Sequence, residues 1–92
     1  MLFRSPSYDE LEELSEEIGD KWRKLGRRLN FKEAKLTGFH KDYERLSEKA
    51  YAMLMEWKER RGSDATYQVL FEALCNKLVN RRELAEEICC QV

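Results

Sequence analysis

The stretch Leu46–Arg61, LSEKAYAMLMEWKERR, constrains what this chain can fold into more than any other. Leu46, Ala50, Met53, Leu54 and Trp57 recur at i, i+4, i+7, i+8 and i+11, the stripe of a helix with one buried face. Charged residues (Glu48, Lys49, Glu56, Lys58, Glu59, Arg60, Arg61) fill most of the other positions and read as its solvated side. Gly62 follows, and a glycine there can take the left-handed backbone that closes a helix. Sixteen residues make a rod of about 24 Å, long enough to cross a small domain. Trp57 is the largest apolar group the core can receive. The spacing predicts a central helix with the others laid against it.

The rest of the chain supplies five shorter partners. Ser7 with Glu10 three residues on is a capping-box pattern, and Leu11, Leu14 and Ile18 follow at helical spacing before Gly19. Asp20 is placed to cap a second helix with Trp22, Leu25 and Leu29 inward. Asn30 and Glu33 repeat the capping-box spacing ahead of a third, with Leu36 and Phe39 inward. Gly38 weakens that helix by about 1 kcal/mol relative to alanine, which predicts a short or irregular element. His40–Arg45 then links to the central helix. Beyond Gly62, Asp64 and Thr66 are cap candidates for a fifth helix burying Val69, Leu70, Ala73 and Leu74, with Leu78 and Val79 packed in the turn after it. Asn80 and Glu83 give another capping-box pair, opening a sixth helix with Leu84, Ala85 and Ile88 inward. No segment alternates with period two, and no Asn-Gly or Asp-Gly hairpin turn occurs. The expectation is an all-α, six-helix bundle forming one domain over residues 1–92, with its helical core at about 8–90.

Composition excludes several classes. Hydrophobic residues are 42% and charged residues 38%, too apolar for disorder and too charged for a membrane span. No apolar run approaches the roughly 20 residues a spanning helix needs. The opening MLFRSPSYDE has no apolar segment of signal-peptide length, which predicts a cytoplasmic protein or an intracellular domain. Three cysteines, Cys75, Cys89 and the adjacent Cys90, are an odd number and not a disulfide framework. Cys75 and Cys89 read as buried free thiols, and Cys90 as exposed near the end of the chain. With one histidine, His40, no Cys/His zinc spacing can be completed, so no metal or cofactor is expected. There is no phosphate-binding glycine loop, no His-Glu-x-x-His and no Cys-x-x-Cys, and the acids are spread over helix surfaces. The chain is not expected to be an enzyme.

Net charge is −1, but the charge is sorted along the chain. Residues 1–20 carry seven acids and one base; residues 21–35 carry seven bases and one acid. With the apolar stripes inward, the first helix exposes Glu10, Glu12, Glu13, Glu16 and Glu17. The second exposes Arg23, Lys24, Arg27 and Arg28, and Lys32 and Lys35 extend the basic surface onto the third. Helices that are merely soluble more often interleave signs for i, i+4 pairing. Bases crowded along one helix repel one another, a cost unless a partner uses them. The chemistry of this chain is therefore expected at its surface.

Six amphipathic helices in this order, with one tryptophan early in the second and another late in the fourth, resemble a death domain. The likeness is carried by Trp22-Arg-Lys-Leu25-Gly-Arg-Arg-Leu29, by Tyr51-Ala-Met53-Leu54-Met-Glu-Trp57, by Gly62-Ser-Asp-Ala65-Thr66 with Leu70, Ala73 and Leu74 after it, and by Leu84-Ala85. Asp42-Tyr43-Glu44-Arg45, continuing through Glu48-Lys49 to Trp57, is similar to the death domains of receptor-interacting protein kinases. Ankyrin death domains and the Fas-associated adaptor share the tryptophan and Gly-x-x-Ala-Thr pattern. The resemblance implies an antiparallel six-helix bundle with Greek-key topology. It also implies homotypic binding to other death domains, self-association included, in apoptotic or inflammatory signalling.

In such domains helices two and three of one molecule commonly dock against helices one and four of the next. Here that would set Arg23, Lys24, Arg27, Arg28, Lys32 and Lys35 against Glu12, Glu13 and Glu16. The end of helix four and the loop after it (Glu59, Arg60, Arg61, Asp64) form a second candidate contact. Arg81, Arg82 and Glu86 form a third. The alternative for the basic helix is nucleic-acid binding. Against it stand the acidic first helix, the net charge and Trp22 lying on the buried stripe.

Overall fold

The computed structural model describes residues 4–89, and Cys90 lies outside them. Among the described residues the chain forms six α-helices: α1 (Tyr8–Ile18), α2 (Trp22–Arg28), α3 (Glu33–Asp42), α4 (Leu46–Arg61), α5 (Tyr67–Cys75) and α6 (Arg82–Cys89). Short 3₁₀ turns at Gly19–Lys21 and Gly62–Asp64 follow α1 and α4.

Helix α4 is the hub. Its most extensive packing is along α1, and α2 and α3 also lie on it, while α6 packs against both α5 and α1. Ala50, Met53, Leu54 and Trp57 are buried in one cluster with Leu11, Leu14, Ile18, Trp22, Leu25, Leu36, Leu70, Leu74, Leu84 and Ile88. Leu46, the first residue of α4, departs from the expected stripe: it is exposed. Lys49, read as a solvated charge, is 7% exposed, its Nζ 2.8 Å from His40 Nδ1 on α3. The aliphatic stem of a lysine can lie in a core when its head finds a polar partner.

Some helix boundaries follow the predicted chemistry. The Ser7 hydroxyl accepts from Glu10 N–H at 3.2 Å, and the Glu10 carboxylate accepts from Ser7 N–H at 2.9 Å, a complete capping box. Thr66 caps α5, accepting from Val69 N–H at 3.2 Å. Gly62 ends α4 at φ 56° and ψ −121°, a conformation that favours glycine.

The two Asn–Glu pairs and Asp20 do not cap. Asn30 sits at φ 72° as the residue that closes α2. Its N–H donates to Arg27 O at 3.1 Å and Phe31 N–H reaches back to Gly26 O at 3.0 Å, the paired bonds of a Schellman ending. α3 is instead preceded by Lys32, without a side-chain cap. Asn80, at φ 54°, likewise turns the chain before α6. Asp20 lies inside the 3₁₀ turn after α1, and Lys21 precedes α2 with no side-chain cap.

α3 is longer than expected, ten residues that take in His40–Asp42 with Gly38 inside. Val69 and Leu78, expected inward, are exposed, whereas Val79 is fully buried. Cys89 is buried and Cys75 half-buried. Phe31 was not foreseen in the core; it is buried edge-on to Phe39, ring centroids 5.9 Å apart.

Candidate interaction surface

The basic segment divides into cations held within the molecule and cations left in solvent. Glu33, the first residue of α3, faces back toward α2, where Arg23 and Arg27 are one turn apart. Arg27 Nε hydrogen-bonds to one of its oxygens, and Arg23 Nε lies 3.7 Å from the other. That hydrogen bond from Arg27, outweighing a small desolvation, holds the Glu33 carboxyl below its usual pKa. Arg23 is half-buried: its terminal nitrogen donates to Thr37 Oγ1 at 2.6 Å and its guanidinium stands 5.9 Å from the Trp22 ring centre. Its Nε is buried without a hydrogen bond, the contact to Glu33 being too long for one.

Glu56 repeats this arrangement on α4. It pairs with Lys35 of α3 at 3.1 Å and with Arg60, one turn along its own helix, at 3.5 Å. Lys35 also stands 5.5 Å from the Phe39 ring centre and Arg60 5.9 Å from that of Phe31. Two carboxylates thus occupy four of the predicted bases.

The side chains of Lys24, Arg28, Lys32 and Arg61 are exposed and make no hydrogen bond or ion pair among the described residues. The same holds for the side chains of Glu12, Glu13 and Glu16 on α1 and of Asp64. The α2–α3 turn joins the first two predicted contacts. One shallow hollow is lined by Asn30, Lys32, Ala34, Lys35 and Arg60. Its neighbour is lined by Leu29, Asn30, Trp57, Arg61, Asp64 and Val69. The basic α2/α3 surface and the end of α4 are therefore continuous.

In the third predicted contact, Arg81 is committed inward, to Glu83 at 2.9 Å and to Ile18 O at 3.3 Å, while Arg82 pairs with Glu86 at 3.4 Å. The i,i+4 spacing of Glu56 and Arg60 is a pairing signal that the sequence carries. Nothing in the sequence marks Glu33 as the partner of Arg23 and Arg27, or Glu56 as that of Lys35, since those pairs reach from one helix to another. On α1, Leu11, Leu14 and Ile18 are buried and Glu12, Glu13, Glu16 and Glu17 are exposed, whereas Glu10, expected to be exposed with them, is half-buried and accepts from the Tyr67 hydroxyl.

The death-domain family model matches residues 8–89, from the first residue of α1 to the last of α6. The chain belongs to the death-domain family. Among the curated relatives of this death domain is human receptor-interacting serine/threonine-protein kinase 1, 36% identical over 73 residues. That match covers 74% of this chain and 11% of the kinase, so the likeness is to one small part of a much longer protein. No solved structure matches the chain significantly. Death domains are protein-interaction modules that bind other death-fold domains, and the all-helical bundle around Trp57 is this family's fold. No helix among the described residues is long and apolar enough to cross a membrane.

Proposed function

We propose that this death domain assembles with other death domains by setting its α2/α3 basic face against the acidic α1/α4 face of the next molecule. It would serve cytoplasmic apoptotic or inflammatory (NF-κB-type) signalling without cofactor or catalysis. The observation that carries the reading is the pair of uncompensated surfaces. Lys24, Arg28, Lys32 and Arg61 stand exposed without partners on one, Glu12, Glu13 and Glu16 on the other. The two patches differ, so a copy bound through one leaves the other open, and the contact propagates instead of closing on itself.

A single exposed ion pair contributes about 0–1 kcal/mol, so affinity comes from several pairs together and from repetition along the assembly. Arg28 is the most informative position because it has no intramolecular role. Arg28→Glu is expected to abolish self-association in sedimentation velocity while leaving helical content and melting temperature unchanged. Arg27→Glu is expected to do the same, with some local cost from placing a second acid beside Glu33. If Arg28→Glu still assembles at full strength, the basic-face assignment is wrong. A gel-shift titration at physiological salt, with a duplex oligonucleotide as probe, is expected to show no complex; a salt-steep shift would favour nucleic acid instead.

A further inference from the structure

Glu33 is the single acid in the fifteen residues from Lys21 to Lys35, and it is placed where it touches two of the seven bases. The proposed basic face therefore contains cations of two kinds. Lys24 and Arg28, one turn apart on α2, are solvated and ready for an incoming carboxylate. Arg23 and Arg27 already have one from their own chain. We propose that Glu33 is a built-in competitor on the docking face, an internal stand-in for a partner's carboxylate that restricts the face to strongly acidic partners.

The inference rests on the basic-face reading above, and its physics is direct. A guanidinium offers five N–H donors in a fixed fork, and the Glu33 bond uses Nε of Arg27. An incoming acid meets Arg27 with its charge already balanced. A weakly acidic surface engages only the unpaired cations, Lys24, Arg28 and Lys32. One carrying several carboxylates a turn apart, as Glu12 and Glu16 are on α1, can draw Arg27 away from Glu33. Because Glu33 is 59% exposed and Arg27 42%, that internal pair is weak enough to be exchanged.

A pair of face-blocked variants isolates one contact. The receptor carries Glu12→Lys, Glu13→Lys and Glu16→Lys and keeps only its basic face; the donor carries Lys24→Glu and Arg28→Glu and keeps only its acidic face. Their association is measured by fluorescence titration at low salt, with circular dichroism verifying each fold. Adding Glu33→Gln to the receptor is expected to tighten binding about two- to fivefold, the scale of one exposed pair. That gain is expected to vanish when Arg27→Gln is also present.

Glu87→Gln, which removes an exposed acid on α6 that has no partner among the described residues, controls for net charge. No gain from Glu33→Gln, an equal gain from Glu87→Gln, or a gain that survives Arg27→Gln would each overturn the competitor role. A receptor carrying Arg28→Glu separates the two proposals. If it binds the donor undiminished, or if the original pair never associates, the basic-face reading itself fails and the competitor role falls with it.

Discussion

At the residue scale, two groups far apart in sequence tie α1 to α5. The Tyr67 hydroxyl donates to the Glu10 carboxylate, the same group that accepts from Ser7 N–H. Burial first, then the bond to Glu10, pushes the Tyr67 phenol up to about 12. Burial alone would raise Glu10, but the bonds from Tyr67 and Ser7 outweigh it and leave the carboxyl below its usual value. The two signs are opposite. Glu10 contributes stability that is present above its unfolded pKa of 4.5 and lost as pH falls through the lower folded value. Tyr67 contributes stability that is present below 10 and lost as pH rises from 10 toward about 12. Tyr67→Phe is expected to cost about 1 kcal/mol at neutral pH. It should also flatten both limbs of a plot of urea midpoint against pH; an unchanged profile would contradict the bond.

Trp57→Ala, emptying the largest buried site, is expected to cost about 3–5 kcal/mol, enough to unfold much of so small a domain in a thermal melt. Trp57 was legible in the sequence because an apolar stripe on a long helix leaves one inward direction. Lys49 and Phe31 were not. A lysine in a charged run carries no sign of the histidine that its ammonium meets on α3, and a phenylalanine between helices has no period to betray its burial.

At the scale of elements, two glycines make opposite predictions. A methyl group on Gly38 in α3 would meet nothing within 4 Å, so Gly38→Ala is expected to stabilise by about 1 kcal/mol in urea melts. One on Gly26 in α2 would lie 2.6 Å from Leu36 Cδ2, and Leu36 is wholly buried. There the gain in helix propensity is offset by overpacking worth about 1–3 kcal/mol, and Gly26→Ala is expected to lower stability. The proposed docking face would depend on that close approach, since Glu33 at the head of α3 reaches Arg23 and Arg27 on α2.

Thr66→Ala is expected to cost about 1 kcal/mol through loss of the α5 cap. Thr66 and Ser7 could be read from sequence because each precedes a clean amphipathic run. Asn30 and Asn80 could not, because asparagine serves equally before a helix and in the positive-φ turn that ends one, and a glutamate three residues on does not separate the two. The chain spends both on turns. Val69 and Leu46 were misplaced for a related reason: helical spacing gives a face but not where a neighbouring helix stops.

For the whole molecule, the sorted charge was visible in sequence as blocks of seven acids and seven bases, and the family's fold with it. Which bases remain available was not. That depends on the α2–α3 turn and on α4 lying beside α3, which bring Glu33 to Arg23 and Arg27 and Glu56 to Lys35; Arg60 meets Glu56 within α4 itself. With charges screened beyond about 8 Å at physiological salt, the association is expected to weaken as salt rises while the melting temperature changes little. Parallel sedimentation and melting series check this.

The bundle is also fastened at its leading edge. Tyr67 N–H donates to Arg4 O at 2.8 Å, and Lys58 Nζ reaches Ser5 Oγ at 2.9 Å and Pro6 O at 2.5 Å while standing 5.1 Å from the Tyr8 ring centre. A tug applied at residue 4 thus loads the start of α5 and the far end of α4 before it can unwind α1. Under tension the domain must shear several bonds at once, where an unfastened helix would peel away one turn at a time.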